Sequence, residues 1–188
     1  MKRIGVLALQ GDFAEHKKAV ERAGAEAIEV RLPGQLDSLD GLIIPGGEST
    51  TLRKLADQYA LMDPLRTFAH ERPVWGTCAG AILLAREIVG QTLHLGVMDI
   101  TVQRNAFGRQ INSFVTNLDI EGVCYSAVFI RAPLIVSVGS EVEVLATLND
   151  GRIVAAQEGH LLATAFHPEL TDDLLFHNRF IRMIEDNR

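Results

Sequence analysis

The stretch Pro73-Val74-Trp75-Gly76-Thr77-Cys78-Ala79-Gly80 joins a short apolar strand to the start of an apolar helix, which we predict to continue to Glu87. Glycines on both sides of Cys78 permit a tight turn between the strand and the helix. Strands and helices alternate in the same way through the first half of the chain: strands are predicted at 4–9, 27–30 and 41–44, and helices at 12–23 and 50–59. This alternation indicates a parallel sheet with helices on both faces.

The second half of the chain has a different pattern, in which short strands follow one another closely. Strands are predicted at 100–103, 127–131, 142–148, 153–157 and 161–166, and a closing helix at 172–186. Asn149-Asp150-Gly151 is typical of a hairpin turn between two of these strands. Residues 1–188, which contain no linker or repeat, therefore predict a single α/β domain with a mixed, mostly parallel sheet flanked by helices.

The composition excludes several classes of protein. The 188 residues are 47% hydrophobic and 22% charged with a net charge of −6, which is typical of a globular domain with a sizeable core. No run of Lys or Arg forms a basic patch, so we expect no nucleic-acid partner. No apolar run is long enough to span a membrane, so we expect no membrane association. The polar Gln10, Gly11 and Asp12 follow the apolar start, which we interpret as a strand rather than a signal peptide.

Two cysteines lie far apart in the sequence, and only one has a context that suggests chemistry. With no export signal we expect a cytoplasmic protein whose thiols stay reduced. Gly76-Thr77-Cys78-Ala79-Gly80 is the cysteine counterpart of the G-x-S-x-G nucleophile elbow, which projects its side chain from the edge of a sheet. The positive end of the following helix favours a thiolate, and the Ala79 amide is placed to hold an oxyanion. Cys124 lacks such a context and is interpreted as structural.

Among the six histidines, His167 is distinguished by following an apolar strand and preceding Pro168-Glu169. Residues two apart on an extended segment point the same way, and proline keeps the preceding residue extended. Glu169 is then expected to bond one imidazole nitrogen and leave the other for the thiol, as in a Cys-His-carboxylate triad. A strand-end turn with a solvated glutamate is the alternative, and the Cys78 elbow favours the triad. His16, His70 and His177 are expected at helix surfaces or interfaces.

The segment Pro45-Gly46-Gly47-Glu48-Ser49-Thr50-Thr51 follows a predicted buried strand and opens a helix. Glycine lets a ligand approach the backbone closely, and the Gly47 N–H is a candidate second oxyanion donor. Ser49 or Thr50 as a helix cap would also explain this composition. No P-loop or G-x-G-x-x-G is present, so the glycines do not indicate a nucleotide site.

Three motifs, Pro-Gly-Gly-Glu-Ser-Thr, Gly-Thr-Cys-Ala-Gly and His-Pro-Glu, occur in the order and positions that resemble the class I glutamine amidotransferases. Further stretches, at 9–11, 104–110 and 129–133, narrow the resemblance to the glutaminase subunits of pyridoxal 5′-phosphate synthases, and it covers essentially the whole chain. Ala106 departs from this pattern, because relatives are expected to carry serine there.

The resemblance implies a role for each matching residue. Cys78 would be the nucleophile, His167 the base and Glu169 its orienter. The residues implied to hold glutamine are Gly47, Glu48, Ser49, Arg104, Ile130 and Arg131. The arginines suit this role, since a guanidinium can clamp the α-carboxylate of free glutamine.

The implied reaction is hydrolysis of L-glutamine through a thioester, with no metal or bound cofactor. Ammonia would pass to a synthase subunit, the implied protein partner, and pyridoxal phosphate would be the product of the complex. A glutaminase subunit of another pathway, such as imidazole glycerol phosphate synthase, stays open as an alternative. A cysteine peptidase, a γ-glutamyl hydrolase and a non-catalytic regulatory subunit are further alternatives.

Overall fold

The computed structural model of the chain describes residues 1–92, 94–107 and 113–187. The described helices are α1 (Phe13–Arg22), α2 (Ser49–Gln58), α3 (Met62–Glu71), α4 (Ala79–Leu84) and α5 (Leu175–Asp186). The described strands are β1 (Arg3–Leu7), β2 (Glu26–Val30), β3 (Gly41–Ile44), β4 (Val74–Thr77), β5 (Ala85–Ile88), β6 (Met98–Gln103), β7 (Ser113–Ile120), β8 (Val123–Ile130), β9 (Leu134–Val138), β10 (Glu143–Thr147), β11 (Ile153–Glu158) and β12 (Leu161–Thr164). None of the helices among these residues is long and apolar enough to cross a membrane.

The central sheet has the strand order β2-β1-β3-β4-β12-β11-β9-β6-β5, and β10 pairs with β11. The strands from β2 to β12 are all parallel, whereas β12, β11, β9 and β6 are joined by antiparallel pairs. β7 and β8 form a separate antiparallel hairpin. The structure thus confirms the predicted fold class, a mixed and mostly parallel sheet flanked by helices.

Each face of the sheet carries its own hydrophobic core, because successive side chains of a strand point to opposite faces. In β3, Leu42 and Ile44 pack on one face with α2, α3 and α4. Ile43 packs on the other face, together with residues of α1, α5 and the β7–β8 hairpin. A strand buried on both faces has no polar side, which explains the continuous apolar run at 41–44.

The predicted helix at 79–87 is wrong in its last turn. Helix α4 ends at Leu84, and residues 85–88 form the edge strand β5, which pairs in parallel with β6. Ala85 and Ile88 are buried while Arg86 and Glu87 are exposed, so this strand presents its charges to solvent. Strands β7 and β9 were not predicted either. The hairpin turn at 149–151 is confirmed, with Gly151 at a positive φ of 85° between β10 and β11.

Candidate active site

Cys78 lies at the sharp turn between β4 and α4, with φ 47° and ψ −104°. A non-glycine residue at positive φ is strained, and such strain persists only where the surroundings hold it in place. The Cys78 N–H donates to the carbonyl oxygen of Thr164 at 2.8 Å. A Cβ atom at Gly80 would collide with the carbonyl oxygen of Ile44, so this turn requires glycine there. The backbone therefore fixes the Cys78 side chain at the edge of the sheet.

The neighbours of β4 bring two further segments to Cys78. Thr77 of β4 pairs with Thr164 of β12, so the segment that follows β12 leaves the sheet at the same edge. On the other side of β4, the end of β3 leads into Gly46. A Cβ atom at Gly46 would lie 2.5 Å from Cε1 of the His167 ring and 3.3 Å from the Cβ of Cys78. Gly46 therefore lies against both side chains, with no room for a side chain of its own.

His167 and Glu169 are both buried and form a hydrogen bond of 2.6 Å between Nδ1 and Oε1. The extended segment predicted for them is wrong, because Pro168–Leu170 is a 3-10 turn. The N–H of Leu170 donates to the carbonyl oxygen of His167 at 3.3 Å and closes this turn. The turn folds the glutamate back onto the imidazole, so the two side chains meet by a different geometry from the one predicted.

Burial and hydrogen bonding have opposite effects on the pKa values of His167 and Glu169. Burial alone would lower the pKa of His167, but hydrogen bonds with Asp12, Cys78 and Glu169 outweigh it and raise the pKa. Burial alone would raise the pKa of Glu169, but His16 and His167 outweigh it and lower the pKa. Glu169 is thus an ionised acceptor for the proton on Nδ1. Nε2 of His167 has no hydrogen-bond partner among the described residues and is the nitrogen available to the thiol.

Asp12 is a second carboxylate at this imidazole, with 3.4 Å between its Oδ2 and Nδ1 of His167. The potential ligand atoms of Asp12, His167 and Glu169 lie within 4.8 Å of one another, as in some metal sites. However, the 2.6 Å between Nδ1 and Oε1 is the length of a strong, charge-assisted hydrogen bond, so a proton already occupies the space between them. The arrangement therefore fits a proton-holding pair better than a metal centre.

Glu48 caps helix α2, a role that the sequence had suggested for Ser49 or Thr50. Its carboxylate accepts from the backbone N–H groups of Thr50 at 3.0 Å and Thr51 at 2.7 Å. Burial alone would raise the pKa of Glu48, but these bonds and the Thr51 hydroxyl lower it to about 2. The predicted cap is wrong because Ser49 is the first residue of the helix and is buried.

The remaining predicted substrate residues lie around the same opening. Arg104 Nη2 lies 3.0 Å from Glu48 Oε1, and its Nη1 donates to the side-chain oxygens of Thr50 and Gln91. The Cys78 thiol lies 3.8 Å from the carbonyl oxygen of Ile130. Arg131 follows at a positive φ of 44° and is exposed. Residues 108–110 of the stretch that supported the resemblance lie outside the described residues.

Gly47 has a φ of 145° and lies against the side-chain amide of Gln10. The carbonyl oxygen of Gly46 accepts from the backbone N–H of Asp12 at 3.4 Å. Because a trans peptide directs its C=O and N–H to opposite sides, the Gly47 N–H points away from Asp12. The geometry of this one peptide therefore decides whether Gly47 can serve as an oxyanion donor.

The sequence prediction missed the part played by His16 and His177. Both were expected at helix surfaces or interfaces, and their exposed fractions of 0% and 1% place them where their helices pack against the rest of the chain. Nε2 of His16 lies 3.2 Å from Oε2 of Glu169, and its Nδ1 lies 3.2 Å from Nε2 of His177. A signal was present, because His16 falls in line with the apolar positions of α1 at 13, 19 and 20, the face that packs on the sheet.

Comparisons with known proteins agree over nearly the whole chain. A model of the SNO glutamine amidotransferase family matches residues 6–186. The chain is 57% identical to "Pyridoxal 5'-phosphate synthase subunit PdxT" of Geobacillus thermodenitrificans, covering 98% of this chain and 96% of the relative. It is 55% identical to the subunit of the same name from Anoxybacillus flavithermus, covering both chains completely.

Solved structures give the same result. A crystal structure of a glutamine amidotransferase superimposes with a TM-score of 0.92 at 50% identity, covering 97% of this chain and 98% of the other. A putative GMP synthase subunit from Thermoplasma acidophilum has a TM-score of 0.63 at 18% identity, covering 100% of this chain and 94% of the other. This second likeness reflects the shared fold.

Proposed function

The chain belongs to the SNO glutamine amidotransferase family, and we propose that it is the glutaminase subunit of a pyridoxal 5′-phosphate synthase. It hydrolyses L-glutamine to L-glutamate and ammonia, and the ammonia passes to a synthase subunit. The observation that carries this proposal is the full-length identity of 57% to a subunit of that enzyme. The strained Cys78 elbow beside the hydrogen-bonded His167 and Glu169 supports it chemically.

The proposed reaction is acyl transfer through a thioester. The Cys78 thiolate attacks the carbon of the glutamine side-chain amide, and the amide oxygen becomes an oxyanion held by the N–H groups of Ala79 and Gly47. His167, which has taken up the thiol proton, gives it from Nε2 to the departing nitrogen as the C–N bond breaks and ammonia leaves. Water then loses a proton to His167, attacks the thioester and releases glutamate, which restores the thiol. No metal or bound cofactor takes part.

Glu169 serves the reaction through His167, because its carboxylate keeps the proton on Nδ1 and stabilises the imidazolium. Arg104 and Arg131 are proposed to clamp the α-carboxylate of glutamine. Glu48 carries the opposite charge for the α-ammonium group, while Gly47, Ser49 and Ile130 complete the pocket. Free glutamine, with both charges, is thereby distinguished from a glutamine side chain within a peptide.

The proposed partner is the synthase subunit, which uses the ammonia to make pyridoxal 5′-phosphate. The family and the full-length relatives favour this role over a glutaminase subunit of imidazole glycerol phosphate synthase, a γ-glutamyl hydrolase or a peptidase. We propose a cytoplasmic location, since the Cys78 thiol of the reaction must stay reduced.

The test is to measure glutamate and ammonia released from L-glutamine by the purified chain, alone and with the candidate synthase subunit. Cys78→Ala serves as the matched control for contaminating glutaminase. We expect stoichiometric glutamate and ammonia that depend on Cys78, and pyridoxal 5′-phosphate only when both subunits and the sugar-phosphate substrates are present. Hydrolysis of γ-glutamyl peptides in preference to free glutamine would overturn the proposal.

A further inference from the structure

Each carboxylate oxygen of Glu169 lies beside a different imidazole nitrogen, and among the described residues only Oε1 has a hydrogen bond of good geometry. Oε1 lies 2.6 Å from Nδ1 of His167, and Oε2 lies 3.2 Å from Nε2 of His16. The Glu169 and His16 side chains are completely buried, so water does not take the place of either contact. His16 lies on α1, which belongs to a different part of the chain from the turn that carries Glu169.

The His16 ring is held in turn by two other side chains. Its Nδ1 lies 3.2 Å from Nε2 of His177 on α5, and its ring packs edge-on against Trp75 with centroids 5.5 Å apart. Trp75 also packs against His177, with centroids 5.0 Å apart. The indole N–H of Trp75 donates to the Thr164 hydroxyl at 3.1 Å, which fixes the indole between β4 and β12. Three aromatic rings therefore form a rigid support behind Glu169.

Hydrogen bonding determines where the protons lie in this support. Burial, and then the neighbouring His16, lower the pKa of His177 to about 3, so His177 is neutral and carries one ring proton. Nδ1 of His177 is buried with no hydrogen-bond partner among the described residues, so a proton there would be an unsatisfied donor. The proton of His177 therefore lies on Nε2 and is donated to Nδ1 of His16. Since Nδ1 of His16 accepts, its own proton lies on Nε2, which faces Glu169.

We propose that His16 is a positioning residue of the glutaminase, which donates from Nε2 to Glu169 while His177 fixes its tautomer. This inference rests on the proposed function, because His16 acts only through Glu169 and His167. With an imidazole nitrogen beside each oxygen, the carboxylate is restrained from rotating away from Nδ1, and the imidazole keeps Nε2 toward Cys78. Nε2 of His16 also forms a hydrogen bond of 3.1 Å with the Thr77 hydroxyl, so the proton on Nε2 is shared between Thr77 and Glu169.

If His16 positions Glu169, replacing His16 should lower turnover and have little effect on substrate binding. Within the described part of the chain, no hydrogen bond or ion pair joins His16 or His177 to the residues proposed to hold glutamine. Removing the imidazole would leave buried Oε2 of Glu169 with no nitrogen beside it, so the carboxylate would be less firmly oriented. Loss of a hydrogen bond to a charged group typically changes a rate or equilibrium constant about ten- to hundredfold. We therefore expect kcat to fall by that factor, while KM for glutamine changes by less than about twofold.

The kinetic test uses three variants of His16, assayed in the complex with the synthase subunit. His16→Leu removes the donor, His16→Asn supplies an amide too short to reach Glu169, and His16→Gln places an amide N–H near the position of Nε2. We expect the large loss of kcat for Leu and Asn and a loss of less than about fivefold for Gln. His160→Leu is the control, because it removes a part-buried hydrogen bond of 2.8 Å to the Ala69 carbonyl oxygen, away from the site. Wild-type turnover in His16→Asn, or an equal loss in His160→Leu, would overturn the inference.

Nitrogen-15 NMR of the imidazoles gives a readout that needs no activity. Spectra of the complete chain carrying Cys78→Ala, in which turnover is absent, should show His16 protonated on Nε2 and unprotonated on Nδ1. A proton on Nδ1 of His16 would overturn the tautomer and with it the inference. If the wild-type chain in complex with the synthase subunit hydrolyses no glutamine but the tautomer is as expected, the proposed function fails and the contact stands. If hydrolysis is normal and the tautomer is different, only the inference fails.

Discussion

The guanidinium of Arg104 forms an ion pair with the carboxylate of Glu48, with 3.0 Å between Nη2 and Oε1. Both residues are proposed to hold glutamine, one at each of its α-substituents. The Thr50 hydroxyl also accepts from Arg104, and the Thr51 hydroxyl donates to Glu48. A glutamine zwitterion brings a carboxylate and an ammonium group to the same place, so it can extend this pair into an alternating set of charges.

Arg104→Ala is therefore expected to raise the KM for glutamine about ten- to hundredfold, the usual effect of losing a charge-assisted hydrogen bond. Arg131→Ala is expected to act in the same direction. Initial rates over a range of glutamine concentrations provide the measurement. Arg86→Ala is the control, since Arg86 forms an ion pair with Asp99 on the exposed edge strand β5. An unchanged KM in both Arg104 and Arg131 variants would show that these residues do not bind the substrate.

Glu48→Ala should affect stability as well as binding, because Glu48 is the N-cap of α2. Loss of a capping side chain typically costs about 1 kcal/mol of folding free energy. Glu48→Gln keeps an oxygen for the cap but removes the charge, so we expect it to be more stable than the alanine variant while KM still rises. Urea denaturation and glutamine kinetics of the two variants separate the roles. Equal stability of the alanine variant and the wild type would contradict the capping role.

Cys78→Ala is expected to abolish glutamine hydrolysis and to leave the fold intact, since it removes one sulfur atom from the edge of the sheet. Cys124→Ala should retain most of the activity, because Cys124 is exposed on the β7–β8 hairpin. Activity assays and circular dichroism of both variants provide the comparison. Measurable turnover in a clean Cys78→Ala preparation would eliminate the thioester mechanism.

The pH dependence of stability should report on His177. Its pKa is about 3 in the folded chain against 6.5 for a free histidine, so between these pH values the unfolded chain binds a proton that the folded chain does not. Acidification through this window lowers the free energy of unfolding by up to about 1.4 kcal/mol per pH unit for this one group.

His177→Phe removes that proton uptake while keeping a ring against Trp75. The variant is expected to be less stable than the wild type at pH 7, with a difference that narrows as the pH falls toward 4. Urea denaturation at four pH values gives the slope of the free energy of unfolding against pH for the wild type and for the variant. His70→Gln, at an exposed position of α3, should run parallel to the wild type. A His177→Phe slope equal to that of the wild type would rule out this origin of acid sensitivity.

The synthase subunit is expected to activate the chain, because the candidate oxyanion loop contains glycines, which tolerate a change of backbone conformation. Gly11 and Gly47 have φ values of 90° and 145°, and the side chain of Gln10 accepts from the backbone N–H of Glu48 at 3.0 Å. Docking near this loop can reorient the Gly46–Gly47 peptide. We expect a rise in glutamate production of about tenfold or more on adding the partner, equal to about 1.4 kcal/mol of barrier.

Gly11→Ala tests the same loop directly. A Cβ atom at Gly11 would collide with the carbonyl oxygen of Gly46, which would displace the peptide that carries the candidate donor. We expect this variant to be poorly active both alone and with the partner. Gly24→Ala is the control, because Gly24 also has a positive φ, of 86°, but a Cβ there meets nothing within 4 Å. Full activity of the isolated wild-type chain would disprove the activation.

The sequence was sufficient to predict the elbow, because the strand, the glycines and the helix around Cys78 are local features. It was insufficient for the end of α4, since Ala85-Arg86-Glu87-Ile88 consists largely of good helix formers. Pairing with β6 overrides that preference. The sequence also favoured serine or threonine as the cap of α2, because rules for caps rank short side chains first. The longer Glu48 reaches the same N–H groups from an extended backbone.

The contact between His16 and Glu169 could not be predicted from local patterns. It depends on α1 packing across the sheet onto the turn that follows β12, which only the complete topology specifies. The helical periodicity indicated that His16 faces the core but not which group it meets. Tertiary contacts of this kind depend on the order of the strands in the sheet, which cannot be predicted from any short segment of sequence.

The hydrogen bond between Trp75 and Thr164 joins residues 89 positions apart, in neighbouring strands that carry the nucleophile and the base. During translation, the elbow leaves the ribosome long before the strand that must insert beside it. Parallel pairing across so long a stretch forms late, because the intervening chain must be ordered first. A truncated product that ends before residue 161 lacks both Thr164, which accepts from the Cys78 backbone, and the base His167. The nucleophile therefore has neither its backbone support nor its base until the segment that contains β12 and His167 has been synthesised and has paired beside β4.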